Sequence, residues 1–201
     1  MSTTEIALFP IPELVAFPGT VVPLHVFEPR YRTMVHDAVR DERMIGVCHT
    51  KKQIHPGKSG QSLNEALSSN QATYQPCDVF SAGRVEIVEM TEDGRIHANI
   101  YVRKRFRIKR EVQTLPYRIV EAEVLEDEAD QVETAEQLAR VNEQLIAVVS
   151  SQNPRVVTML RDPDWSRQTT AQFTFKVFQF LRFDPELMQT ILESRKPAER
   201  L

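Results

Sequence analysis

The sequence predicts an α+β fold laid out in two consecutive parts, β-rich over residues 1–127 and helical over residues 128–201. Three observations carry that reading. Apolar runs in the first part are short and cut by proline or glycine, as in Leu8-Phe9-Pro10-Ile11-Pro12 and Phe17-Pro18-Gly19, which suits short strands and not helices. Ile96, Ala98, Ile100 and Val102 alternate with His97, Asn99, Tyr101 and Arg103, the period of a half-buried strand. Beyond Asp130 the spacing turns helical, with Val132, Ala135, Leu138, Ala139, Leu145, Ile146 and Val149 recurring on one face.

Taken in order, the opening reads as two short strands joined by a turn at Pro18-Gly19. A helix follows from Pro29, where a fixed φ and a missing N–H cost nothing. Ile45-Gly46-Val47 is the next strand. From Lys51 to Pro76 the chain is polar, with only Leu63, Ala66 and Leu67 to bury, and reads as a mobile loop. Gly83 and Val85-Glu86-Ile87 lead into a hairpin turned at Asp93-Gly94. Pro116-Tyr117 precedes the last strand, Val120-Glu121-Ala122-Glu123-Val124. An acidic run from Glu121 to Glu136 then places negative charge at a helix N-terminus, favourable by about 0.3–1 kcal/mol per group. Phe173 to Leu181 alternates like a strand, yet Phe173, Val177, Phe180 and Leu181 also share a helical face, and a helix over Gln168 to Leu181 is expected. Asp184-Pro185-Glu186 supplies a cap, a first-turn proline and a dipole-matched acid for the final helix.

Composition narrows the function. With 201 residues and 41% hydrophobic content the chain can pack a core. No apolar run approaches the roughly 20 residues of a membrane span, and the N-terminus lacks a signal peptide's basic start and apolar core, so a soluble, cytoplasmic protein without membrane contact is expected. A formal net charge of -3 argues against a general nucleic-acid binder. Cys48 and Cys77 are far apart in sequence and are expected as free thiols.

Catalytic and metal motifs are weak. Gly57-Lys58-Ser59 ends like a phosphate-binding loop, but the glycine required five residues earlier is Lys52. Cys48, His49, His55 and Cys77 are metal-binding types without a spacing that fixes two ligands on one element, and no base or oxyanion-hole turn accompanies either thiol. The expectation is a non-enzyme with no cofactor and no metal. Arg103, Arg105, Arg107 and Lys109 share one side of the continuing strand, next to Tyr101. That stripe is either a solvated face paired with the acidic run or a contact surface for an acidic or nucleic-acid partner. At the strand-to-helix junction, Phe27 and Tyr31 are expected to fill core while Glu28 and Arg30 pair or cap.

These residues resemble the N-terminal domain of Lon proteases: the opening from Leu8 to Met34, Ile45-Gly46-Val47, Gly83 with Val85-Glu86-Ile87, the Arg105-Phe106 pair with Arg107-Ile108, and the proline-led last strand. The resemblance covers about two thirds of the chain and departs at Val102-Arg103-Lys104, where the family more often carries glycine, and from Lys51 to Pro76. It implies a PUA-like pseudo-β-barrel followed by a helical bundle. It also implies contact with substrate polypeptides, since the ATPase and Ser-Lys peptidase modules that follow this domain in Lon enzymes are not in the sequence. The expected function is non-catalytic binding of unfolded or apolar polypeptide segments, or of a protein partner, through the barrel and the barrel–bundle cleft. Phe27, Arg30, Tyr31, Tyr101, Arg103 and Arg105 are the candidate binding residues. RNA binding through the barrel and the Arg103–Lys109 stripe is the alternative.

Overall fold

A computed structural model describes residues 2–55, 73–129, 134–150 and 154–201. Strands β1 (Thr3–Pro10), β2 (Val21–Val26), β3 (Ile45–Cys48), β6 (Val79–Met90), β7 (Ile96–Gln113) and β8 (Arg118–Val124) form one mixed sheet. Its pairings run β7–β6–β3–β1–β8 and return to β7, a closed circuit in which only β1 and β3 are parallel. Closure rests on the 18-residue β7, whose first half pairs with β2 and whose last half pairs with β8.

Side-chain alternation then fills two cores from the same strands. Ile6, Leu8, Phe80, Phe106, Val120 and Ala122 pack together with Cys48 and Cys77. Their neighbours Ala7, Ile45, Val47 and Ile119 point the other way, into a second core shared with Val22, Ile96, Ala98, Ile100 and Val102. Helix α1 (Pro29–Arg40) closes this second core with Tyr31, Met34, Val35 and Ala38. Two glycines admit close approaches. A Cβ on Gly46 would meet the Phe80 ring at 2.4 Å, and one on Gly83 would lie 1.8 Å from the Tyr101 carbonyl oxygen, so neither position accepts a side chain without displacement.

The helical part comprises α2 (Ala135–Ser150), α3 (Pro154–Leu160), α4 (Pro163–Ser166), α5 (Thr170–Lys176) and α6 (Pro185–Glu193). Local signals set their ends. Asp184 accepts from the Glu186 N–H ahead of Pro185, and Thr169 and Gln172 form a capping box, satisfying donors that the first helical turn leaves free. Trp165, Phe173, Leu160, Leu145 and Val149 form the helical core. A further core crosses between the two parts: Val15, Phe17, Val79 and Leu125 meet Phe175, Met188 and Leu192, with Phe17 stacked on Phe178 at 4.1 Å.

Several expectations change. The turn at Pro18-Gly19 is present, with Gly19 at φ 84°, but the strands it separates go to different partners, β1 to β3 and β8 and β2 to β7. The ends of the expected loop are strands, β4 (Thr50–His55) against β5 (Thr73–Pro76). Its remainder, residues 56–72, with Gly57-Lys58-Ser59, lies outside the described residues, as do Val132 at the head of the helical pattern and the side chain of His55. The helix over Gln168 to Leu181 is confined to Thr170–Lys176 and tightens into a 3-10 turn at Val177–Gln179. Helices α3 and α4, which the spacing does not announce, are short pieces opened by Pro154 and Pro163.

Candidate binding face and cleft

Phe27 is not core. It is 62% exposed, because Val26 is the last inward residue of β2 and alternation sends Phe27 outward with His25, Pro23 and Val21. Its ring meets His25 edge-on at 6.3 Å, and His25 lies 4.6 Å from His97 across the pairing with β7. Arg30 and Tyr31, by contrast, are each only 6% exposed. Arg30 pairs with Glu28 at 2.9 Å and covers the Tyr31 ring. Tyr31 packs on Phe9 at 4.1 Å, and burial pushes its hydroxyl up to about 12. Glu28 therefore pairs and does not cap through its side chain, and neither Arg30 nor Tyr31 is on the surface that holds Phe27.

Tyr101 and Arg103 do reach that surface. Tyr101 sits opposite Val21, 38% and 50% exposed respectively. Among the described residues strand β2 pairs with β7 alone, so one of its edges has no described strand beside it. Val102 N–H donates to the Thr20 carbonyl at 3.0 Å, and from that register the backbone groups of Val22, Leu24 and Val26 face β7 while those of Val21, Pro23 and His25 face outward. Pro23, lacking an N–H, thus falls where no ladder bond is lost.

The stripe from Arg103 to Lys109 does not hold together. Val102 pairs with Gly83 but Lys104 with Ala82, which makes Arg103 the extra residue of a bulge and moves Arg105, opposite Ser81, onto the face of Val102. There Arg105 is 3% exposed. It donates to the carbonyls of Leu125, Leu192 and Ser194 and to Asp127. Arg200 grips the same carboxylate at 2.7 and 2.9 Å and bonds Thr174 at 3.1 Å. Both guanidiniums lie over the Phe175 ring, at 5.2 and 3.9 Å. Burial pushes the Arg105 pKa down, opposed by Asp127. Outside this joint the acidic run pairs with basic residues along β7, Lys104 with Glu126 at 3.8 Å, Lys109 with Glu123 at 2.9 Å and Arg110 with Glu121, so that of the stripe itself Lys109 is answered in this way.

Beside the joint lies an open cleft of about 380 Å³ between the strands and α5, floored by Pro18, Val124 and Leu125 and rimmed by Arg103, Lys104 and Lys176. The sequence alone did not single out Lys176, Gly19 and Asp127 in this cleft, or Arg200 in the joint beside it. The only available signal was the turn glycine: a Cβ at Gly19 would come within 3.0 Å of the Lys176 stem. A shallower depression continues from Gly19, Arg103 and Lys104 to Val21 and Tyr101, so face and cleft form one track.

The thiols offer no comparable site. Cys48 and Cys77 are free and buried. Burial pushes the Cys48 thiol far up and that of Cys77 up to about 11, which disfavours the nucleophilic thiolate. His49 is buried with Nε2 3.5 Å from Glu186 Oε1. Among the described residues no three His, Cys, Asp or Glu side chains are grouped to hold a metal ion, and no helix is long and apolar enough to cross a membrane.

The family model for the ATP-dependent protease La (LON) substrate-binding domain matches residues 5–201. The chain belongs to that family. The match extends beyond the two thirds recognisable from motifs and takes in the whole helical part. Lon protease 1 of Herpetosiphon aurantiacus is 24% identical over 204 aligned positions, which are 98% of this chain and 23% of that protein. Lon protease 2 of Myxococcus xanthus is 28% identical over 123 residues, 60% of this chain and 13% of that one. The chain thus spans about a quarter or less of these relatives. Among solved structures, a Lon N-terminal domain protein from Xanthomonas campestris has a TM-score of 0.60 at 21% identity, and the N-terminal domain of Mycobacterium avium complex Lon protease has 0.68 at 12%. Each comparison covers 98% of this chain and 94% of the other. At these identities the likeness is one of fold.

Proposed function

We propose that this LON substrate-binding domain acts by binding, not catalysis, and holds exposed apolar segments of unfolded polypeptides on the β2–β7 face and in the adjoining cleft. One observation carries the reading: Val21 and Phe27 stand exposed along the edge strand β2, with Tyr101 exposed beside Val21 on β7, in a chain of a substrate-binding family. From Val21 to Phe27 the edge runs about 20 Å at roughly 3.3 Å per residue, long enough for six residues of an extended chain. Apolar contact there contributes roughly 25 cal/mol per Å² buried. In this reading the closed strand circuit is the PUA-like pseudobarrel, residues 128–201 are its helical bundle, and the protein works in the cytoplasm. RNA binding is the weaker reading, since Arg105 is spent on Asp127 and Lys109 on Glu123.

The test is the affinity for reduced, alkylated α-lactalbumin. Micromolar binding that changes little with salt and weakens at least fivefold in the Phe27→Ala/Tyr101→Ala double variant supports the proposal. No binding, or binding indifferent to both changes, rejects it.

A further inference from the structure

Arg103 and Lys176 are the two cations of the cleft that have no charged or hydrogen-bonding partner among the described residues. Lys104 meets Glu126, and Arg105 is saturated by Asp127 and three carbonyls. Lys176 is held there by shape: its stem lies flat against Gly19, whose φ of 84° and missing side chain permit the approach. Arg103 is held by the bulge, which turns it outward at the point where the strand register slips. Both rim a space of about 380 Å³ whose floor, Pro18, Val124 and Leu125, is apolar. That volume sits near the lower end of ligand pockets and admits one or two side chains, not a folded surface.

We propose that this cleft is a carboxylate seat, taking an Asp or Glu side chain of a bound polypeptide while an adjacent apolar side chain rests on its floor. The proposal rests on the polypeptide-binding reading above and names the chemistry that reading prefers. Charge complementarity selects the occupant. Four cations and two carboxylates line the cleft, one carboxylate is already engaged by two arginines, and the two unpartnered cations suit one carboxylate. A nucleic-acid backbone fits less well, because further phosphates would run past Glu126 and, on the neighbouring strand β8, Glu123 and Glu121. Arg103 and Lys104 are shared with the depression beside Val21 and Tyr101, so an extended chain on the open edge reaches the cleft without a break.

The experiment uses the full chain and two fluorescein-labelled peptides, amidated at the C-terminus, GSVFEFLGS and its Gln counterpart GSVFQFLGS. Fluorescence anisotropy should give a five- to tenfold preference for the Glu peptide, the scale of a charge-assisted contact, shrinking as ionic strength rises. The R103Q/K176Q variant should lose that preference while keeping its affinity for the Gln peptide, which reports that the fold and the apolar face are intact. R167Q, an exposed change just after α4, should retain the preference. Equal affinities in the unmodified chain, or a preference that survives R103Q/K176Q, overturns the carboxylate seat and leaves the polypeptide-binding reading standing. Failure of both peptides to bind overturns both. A single-stranded oligouridylate that binds below about 1 μM near physiological salt, tighter than ordinary non-specific contact, and is released by R103Q/K176Q also overturns it.

Discussion

At the joint between strands and helices, two guanidiniums share the Asp127 carboxylate over Phe175, and every guanidinium nitrogen of Arg105 and Arg200 has an acceptor. Two residues from Arg105, on the same strand, Arg103 is exposed and has no side-chain partner among the described residues, beside Val21 and Tyr101. The residue type is the same and the role is opposite. A buried cation is tolerable only when its donors are matched, so Arg105 is committed to holding the helical part against the strands. An exposed one keeps its donors in water and can exchange them for a ligand's.

The sharpest way to break this contrast is at Asp127. Asp127→Ala leaves two largely buried arginines facing one another, and should destabilise by about 3–5 kcal/mol, read from urea denaturation as a lower midpoint. A loss below about 1 kcal/mol would mean the joint is not what binds the two parts.

Raised pH attacks the strand core instead. Burial holds the Tyr31 hydroxyl at about 12, above the ordinary 10, so the neutral form is the one the fold accepts. Stability from this group is complete below pH 10 and is lost as pH climbs towards 12, by about 3 kcal/mol for a shift of this size. Tyr117, raised to about 12 by burial and its bond to Asp37, moves in the same direction. In a Tyr74→Phe/Tyr101→Phe background, which removes the two less buried phenols, absorbance at the phenolate band should rise late and together with unfolding; an early rise from Tyr31 and Tyr117 in the folded protein contradicts the burial.

Gly19→Ala acts at the boundary between joint and cleft. A left-handed φ costs a non-glycine residue about 1–2 kcal/mol, and the new Cβ presses on the Lys176 stem. The expected result is a modest fall in thermal stability together with loss of the Glu-over-Gln preference, whereas a variant that keeps both properties argues that Lys176 is not positioned by this turn.

Phe27→Ala should move stability least. At 62% exposure the ring contributes little to the core, and a change within about 0.5 kcal/mol is expected, as for ordinary surface positions, while affinity for apolar segments drops severalfold. A loss of 3–5 kcal/mol, the figure for a buried phenylalanine, would show that the ring is covered in solution.

The elements that local chemistry controls were legible in advance. Pro29 and the Asp184-Pro185-Glu186 cap start their helices as read, Asp93-Gly94 turns the β6–β7 hairpin with Gly94 at φ 78°, and Ile96 to Val102 alternates as expected. Family membership was legible too, because those same punctuation residues carry the resemblance. The candidate site was half legible. Tyr101 and Arg103 lie on the track, Phe27 lies at its far end for a reason opposite to the one assumed, and Arg30, Tyr31 and Arg105 serve the interior.

What the sequence determined alone is therefore the set of events decided within a few residues: caps, turns, periodicity, and the charge and apolar content that each segment brings. Tertiary structure decided which side of a strand each charge occupies once a bulge shifts the count at Arg103, which of two aromatic residues four apart, Phe27 or Tyr31, is covered, and which distant groups meet. Phe175, Lys176 and Arg200 reach the strands, and Asp127 just past the end of β8, only when the helical part folds back over them. The pairing energy of groups tens of residues apart depends on distance and burial, and neither is written in the spacing of the chain.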